Sequence, residues 1–314
     1  MKALLLKFYA FFPAFEEIKN KVSASKELHD CEIIVAMALS INFPDWNSFG
    51  RVNASQRWRR QSAALGSDMT RAIVEAAQVS SGMRVLDVAC GTGEPAITLA
   101  MLLAVSGNVI GVDLSPAPLK IAEVRAEQRG LTNVTFQQAD AHDLPFPESS
   151  FDRVTSRLGV MFFSDLPRAL AEMHRVLKPG GKAALLAWGS MDQPYFKTTI
   201  GTVLRTMPDA IVRESGRSMF RFGKKGVLAQ ELRKAGFSKV NERFITIAWT
   251  WPGTPEEVWE YFQDVAIPFT PLLQSIPVER KAEIDAEVLR AIGQYYDGTN
   301  IKFTATVNIT VAMK

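Results

Sequence analysis

Three carboxylates stand where apolar runs give way to polar chain: Asp87 in MRVLDVACGTGEPA, Asp113 in NVIGVDLS and Asp140 in NVTFQQADAHD. Behind the first come Gly91 and Gly93, which let backbone approach a ligand closely. Read alone, G-x-G-x-x-A fits a dinucleotide's pyrophosphate cradle, but a carboxylate at its throat repels phosphate. A ligand that ends in an ammonium and a sulfonium, as S-adenosylmethionine does, is drawn to Asp87 instead, directly or through water. Asp113 lies at the distance downstream where an acid receives the two ribose hydroxyls, a role that serves NAD equally. Asp140 and Ala141 are placed to meet an adenine edge.

Such a constellation needs strands that end together. MRVLDVA, NVIGVDL, NVTFQQAD, FDRVTSRLGVMFF and GKAALLAWG read as strands, with helices expected over about Glu94–Ala104, Pro116–Arg129 (Ser115 at the N-cap) and Leu166–Leu177. Gln56–Gln78 reads as a helical lead-in. This alternation predicts a doubly wound α/β sheet, mostly parallel, with ligands outside the strands' carboxyl ends. Beyond Trp188 the rhythm changes: two long strands, KVNERFITIAWTW and the alternating IKFTATVNITVAM, are separated by helices. They bring the expected sheet to seven strands, with an antiparallel last strand completing the sheet at its end. The expected division is an N-terminal extension (1–44), a cofactor core (45–190), and the remaining strands with helical cap insertions (191–314, caps at 191–225 and 252–300).

Composition narrows the partners. Thirty-six basic against thirty-three acidic residues leave a net charge of +3, too little for a nucleic-acid surface. The tight group Arg57, Arg59 and Arg60 reads as a solvated face beside a buried Trp58 rather than an anion site. Two cysteines, Cys31 and Cys90, make neither a disulfide framework nor a zinc site, and a reducing cytoplasm is the expected compartment. The run MKALLLKFYAFFPAF is too interrupted for a membrane span and lacks a convincing cleavage site. No metal site is expected.

The strings VLDVACGTG, GVDLS, ADAHDLPFPESSFDRV and LKPGG, in this order and spacing, resemble class I S-adenosylmethionine-dependent methyltransferases, particularly the ubiquinone/menaquinone C-methyltransferase-like (methyltransferase type 11) group. The resemblance runs from about Asp45 to the end and is strongest from Met83 to Gly189. It implies a Rossmann-like core that binds S-adenosylmethionine: Asp87, Gly91 and Gly93 at the methionine end, Asp113 at the ribose and Leu114 on one adenine face. It further implies Asp140 and Ala141 at the adenine edge, and Arg157 to Gly159 beneath the transferring methyl. Ala89 departs from the pattern, which often has glycine there; its methyl is tolerated provided φ is negative.

The acceptor side is less defined. Trp188 and Tyr195 are its candidate residues, and the aromatic cap suits a flat or apolar small-molecule acceptor such as a quinol, phenol or natural product. Among His29, His142 and His174, His142 is the candidate for a base, although its place after Asp140-Ala141 fits ordering that loop. A nicotinamide-dependent reductase is the competing enzyme class. Against it stand Asp87 and the lack of any tyrosine followed four residues later by lysine. A protein that binds the cofactor without transferring methyl is the non-enzymatic alternative.

Overall fold

Apolar residues at helical spacing, Leu65, Met69, Ala72, Ile73 and Ala76, form the buried stripe of α1 (Arg59–Ala77), which follows a turn carrying the buried Trp58. The computed structural model describes residues 53–54, 56–210, 212 and 214–314; His29, Cys31 and the expected extension 1–44 lie outside them. After α1 come β1 (Arg84–Val88), α2 (Ala96–Leu103), β2 (Asn108–Asp113), α3 (Pro116–Glu127), β3 (Val134–Gln138) and β4 (Phe151–Arg157). Next are α4 (Leu166–Val176), β5 (Leu177–Trp188), α5 (Pro194–Thr198), α6 (Ile200–Thr206), α7 (Glu214–Ser218) and α8 (Val227–Lys234). The chain closes with β6 (Ser238–Pro252), α9 (Pro255–Val265), α10 (Thr270–Gln274), α11 (Val278–Gly293) and β7 (Asn300–Met313).

The seven strands form one sheet in the order β3-β2-β1-β4-β5-β7-β6. Pairing is parallel from β3 to β5, while β7 runs antiparallel to both its neighbours. The order reverses at β1, so the cleft between the ends of β1, β2 and β4 is the topological switch point where such sheets hold ligands. Between β6 and β7, α9 opens with a capping box in which Thr254 and Glu257 satisfy each other's backbone N–H groups.

Two sequence expectations change. The alternation in the last strand suggested an end position, but β7 is interior and β6 forms the edge. The alternation holds only over its first half; from Val307 to Thr310 every residue is buried, as an inserted strand requires. Its polar residues are satisfied there: Asn308 Nδ2 donates to Phe222 O and to Glu242, and Thr310 Oγ1 donates to Asn308 Oδ1. Ser115 holds the N-cap position of α3 but makes no side-chain cap bond, its backbone N–H donating instead to Asp113 Oδ1 at 2.9 Å.

Candidate cofactor and acceptor site

The parallel register sets Asp87 of β1 opposite Thr155 of β4. Thr155 Oγ1 donates to Asp87 Oδ1 at 2.7 Å, and the Ala96 N–H at the head of α2 donates to Oδ2 at 3.2 Å. Asp87 is fully buried. Burial pushes its carboxyl up to about 7, against the pull of those two bonds and of Arg157. Both Asp87 oxygens are thus engaged, and the carboxyl has no exposed surface.

Above Asp87 the chain turns through Ala89 (φ +59°), Gly91 (φ +53°) and Gly93 (φ +107°). The negative φ expected for Ala89 is therefore not found, and a left-handed alanine costs about 1–2 kcal/mol. Its methyl also fixes Gly159: a Cβ there would lie 2.4 Å from Ala89 Cβ and 2.9 Å from Ser156 Oγ. A Cβ on Gly91 would meet nothing within 4 Å, whereas one on Gly93 would strike Ile97 at 2.6 Å. One glycine opens space over the loop and the other packs it onto α2.

Asp113 joins the loop to the end of β2, its Oδ2 accepting from the Gly91 N–H at 2.9 Å. Leu114 beside it is exposed and Ala141 is buried. At the end of β3, Asp140 accepts from the His142 backbone N–H and ring Nδ1. Partial burial raises the Asp140 carboxyl, but these bonds and Arg168 hold it below the usual carboxylate range. His142 Nε2 accepts from the Asp165 N–H at 3.2 Å, so both ring nitrogens are committed to the loop. His174, near the end of α4, packs edge-on against Phe237 just before β6.

Arg157, partly exposed, donates from Nε to Glu94 O at 3.3 Å. Burial lowers its guanidinium, while Glu94, Asp87 and the cap residue Tyr261 oppose that shift. The fold thus brings a cap phenol toward the strand ends. Trp188 and Tyr195 are buried in a cage of rings: Trp188 lies edge-on to Phe196 and Trp249, and Tyr195 stands perpendicular to Trp249 at 4.0 Å and contacts Phe262 and Phe303.

Sequence reading missed Thr155 and Arg125, whose Nη1 donates to Thr92 O and Oγ1 in the glycine loop at 3.1 and 2.7 Å. Only Thr155 left a signal, as the polar member of the strand facing β1. Among the described residues no cluster of His, Cys, Asp or Glu has the makings of a metal site, and no helix is long and apolar enough to cross a membrane. The donor set is carboxylates and open backbone beneath a left-handed loop, which fits a nucleoside with a cationic tail.

A mixed seven-stranded sheet with carboxylates at successive strand ends defines a class, the Rossmann-like methyltransferases that use S-adenosylmethionine. The phosphoethanolamine N-methyltransferase 2 of Haemonchus contortus, solved with S-adenosyl-L-methionine, superposes with a TM-score of 0.53 at 20% identity over 86% of this chain and 58% of that one. The YcgJ protein of Bacillus subtilis does so at 0.51 and 22% over 79% and 98%. Both likenesses concern the fold. The profile of the ubiE/COQ5 methyltransferase family matches residues 65–249, and the chain belongs to that family. It is 35% identical to a demethylmenaquinone methyltransferase of Staphylococcus carnosus over 57% of this chain and 67% of that protein. It is 42% identical to a 2-phytyl-1,4-naphtoquinone methyltransferase of Synechococcus elongatus over 40% and 53%. The chain thus spans about half to two thirds of these curated relatives' length.

Proposed function

We propose that this chain methylates a small, planar aromatic acceptor of the quinol class, with residues 45–190 holding the cofactor and the segments 191–225 and 252–300 covering the acceptor. The observation that carries this reading is membership of the ubiE/COQ5 methyltransferase family over residues 65–249, with the buried rings Trp188, Tyr195, Trp249 and Phe262 forming an apolar aromatic core on the acceptor side. The names of the quinone-methylating relatives support it. S-adenosylmethionine, when bound, supplies an electrophilic methyl on a sulfonium.

The chain's own residues position and desolvate. Asp113 receives the ribose, Leu114 and Ala141 flank the adenine with Asp140 at its edge, and Asp87 stabilises the cationic end from beneath the Ala89–Gly93 loop. Arg157 and Tyr261 form the polar border between that end and the cage. In-line displacement disperses charge, so alignment and exclusion of water supply much of the rate. His142 is left to order its loop. The compartment in this reading is the cytoplasm, and nucleic acid is not a partner.

The test is transfer of labelled methyl from S-adenosylmethionine to a detergent-solubilised demethylmenaquinol, set against amine, thiol and phenol panels. Label in the naphthoquinol ring is expected; transfer to an amine or thiol with none to the quinol overturns the assignment.

A further inference from the structure

A cleft of about 610 Å³ opens between α3 and the first turn of α1, lined by Arg59, Lys120 and Arg125 and floored by Pro116, Ile121 and Val124. None of Asp87, Gly91, Asp113 or Asp140 lines it, so it is separate from the cofactor residues. Its wall carries three cations and no carboxylate.

Among the described residues none of the three cations forms an ion pair, although the Glu94 carboxylate acts on Arg125 from a distance. Arg59 donates to the neutral Gln128 Oε1 at 3.2 Å, and Arg125 to Thr92. Lys120 has neither a hydrogen bond nor an ion pair among the described residues. Burial lowers the Arg125 guanidinium, and repulsion from Arg59 and Arg129 adds to it. A cluster of like charges against an apolar wall is relieved by an anion. Val124 is 49% exposed on the same wall, an apolar surface that an inorganic ion leaves uncovered. The adjacent arginines read from sequence as one solvated face divide here: Arg57 pairs with Glu260 and Asp264, while Arg59 turns to the cleft.

We propose that this cleft binds an anionic headgroup carried on an apolar body, with Arg59, Lys120 and Arg125 taking the anion and Pro116, Ile121 and Val124 the body. Because Arg125 also grips Thr92, occupancy of the cleft and the conformation of the cofactor's glycine loop are linked.

The experiment is calorimetric titration of the full chain with monomeric lysophosphatidylglycerol below its micelle concentration, with lysophosphatidylcholine, and with inorganic phosphate. Saturable one-to-one binding of the anionic amphiphile is expected, at least about tenfold tighter than either control, and weakening as salt rises. Lys120→Gln and Arg59→Glu should each lower that affinity by about tenfold or more. Lys120→Gln should leave S-adenosylmethionine affinity in the empty cleft unchanged, which verifies its fold. Equal binding of the zwitterionic lipid, equal binding of bare phosphate, or unchanged affinity in the Lys120→Gln chain overturns the proposal. Binding to phosphatidylglycerol vesicles with none to the monomer does so as well. No arm measures methyl transfer, so this proposal and the acceptor assignment fail independently.

Discussion

The floor at the strand ends and the aromatic cap above it are built on opposite terms. The floor concentrates charge and backbone strain: Asp87, Asp113 and Asp140 each accept bonds from nearby N–H or O–H groups, and Ala89, Gly91, Gly93 and Leu158 all take left-handed φ. The cap and the β6 face beneath it concentrate rings, with the Nε1 groups of Trp249 and Trp251 on β6 buried without an acceptor, as is Ser156 Oγ on the floor's β4. Each unmet indole donor costs about 1–3 kcal/mol, which the ring packing around it offsets. The floor is held by directed bonds and the cap by ring packing. Substitutions in one should therefore leave the other's readout untouched.

The largest effect tests the cap. Phe262 is fully buried and packs on Tyr195, Trp259 and Phe269; Phe262→Ala should cost about 3–5 kcal/mol in urea unfolding while cofactor affinity stays within about twofold. A large loss of cofactor binding in the still-folded chain would break the division. Next comes the floor's buried acid. The folded Asp87 titrates near 7 against 3.8 for a free carboxyl, so between those pH values the folded chain keeps a proton that the unfolded chain has lost. Its contribution to stability accordingly falls by about 4 kcal/mol as pH rises through this window and is level above it. Asp87→Asn should lack that slope, so the difference in stability between the two chains should carry it. Calorimetry should show wild-type affinity for S-adenosylmethionine strengthening as pH passes about 7, because only the ionised acid attracts the sulfonium; a pH-independent affinity contradicts that attraction.

A smaller effect sharpens the floor's geometry. Gly159→Ala should cost about 1–3 kcal/mol by pressing on Ala89, and adding Ala89→Gly should recover part of it by removing the obstructing methyl and the left-handed strain. Strict additivity in a double-mutant cycle would show that the two positions do not touch. The smallest effect lies at the cap's rim. Arg57→Ala loses exposed pairs to Glu260 and Asp264 and a stacking contact on Trp58, and should change stability by about 1 kcal/mol or less.

Much of the floor was legible because its signals are local. An acid at the end of an apolar run, followed by G-x-G, says where a strand stops and what charge its ligand carries. Ala89 was misjudged because the sign of φ depends on how the turn closes over β4, which no residue beside it encodes. Arg125 was invisible for a similar reason: only the packing of α3 beside the glycine loop brings it to Thr92. In the cap, the aromatic residues were legible as a set, but not which ring meets which, since those contacts join β5, α5, β6, α9 and β7 across the chain.

By itself the sequence determined the alternation of strands and helices, the carboxylates at three strand ends and hence the class of cofactor, because periodicity and turn chemistry act over a few residues. Only the tertiary structure decided that β7 lies inside β6, that Asp87 is buried beneath its loop, and that Arg59 leaves Arg57 to join Lys120 and Arg125. Those outcomes depend on which distant surfaces cover one another, and burial and charge proximity are set by that covering.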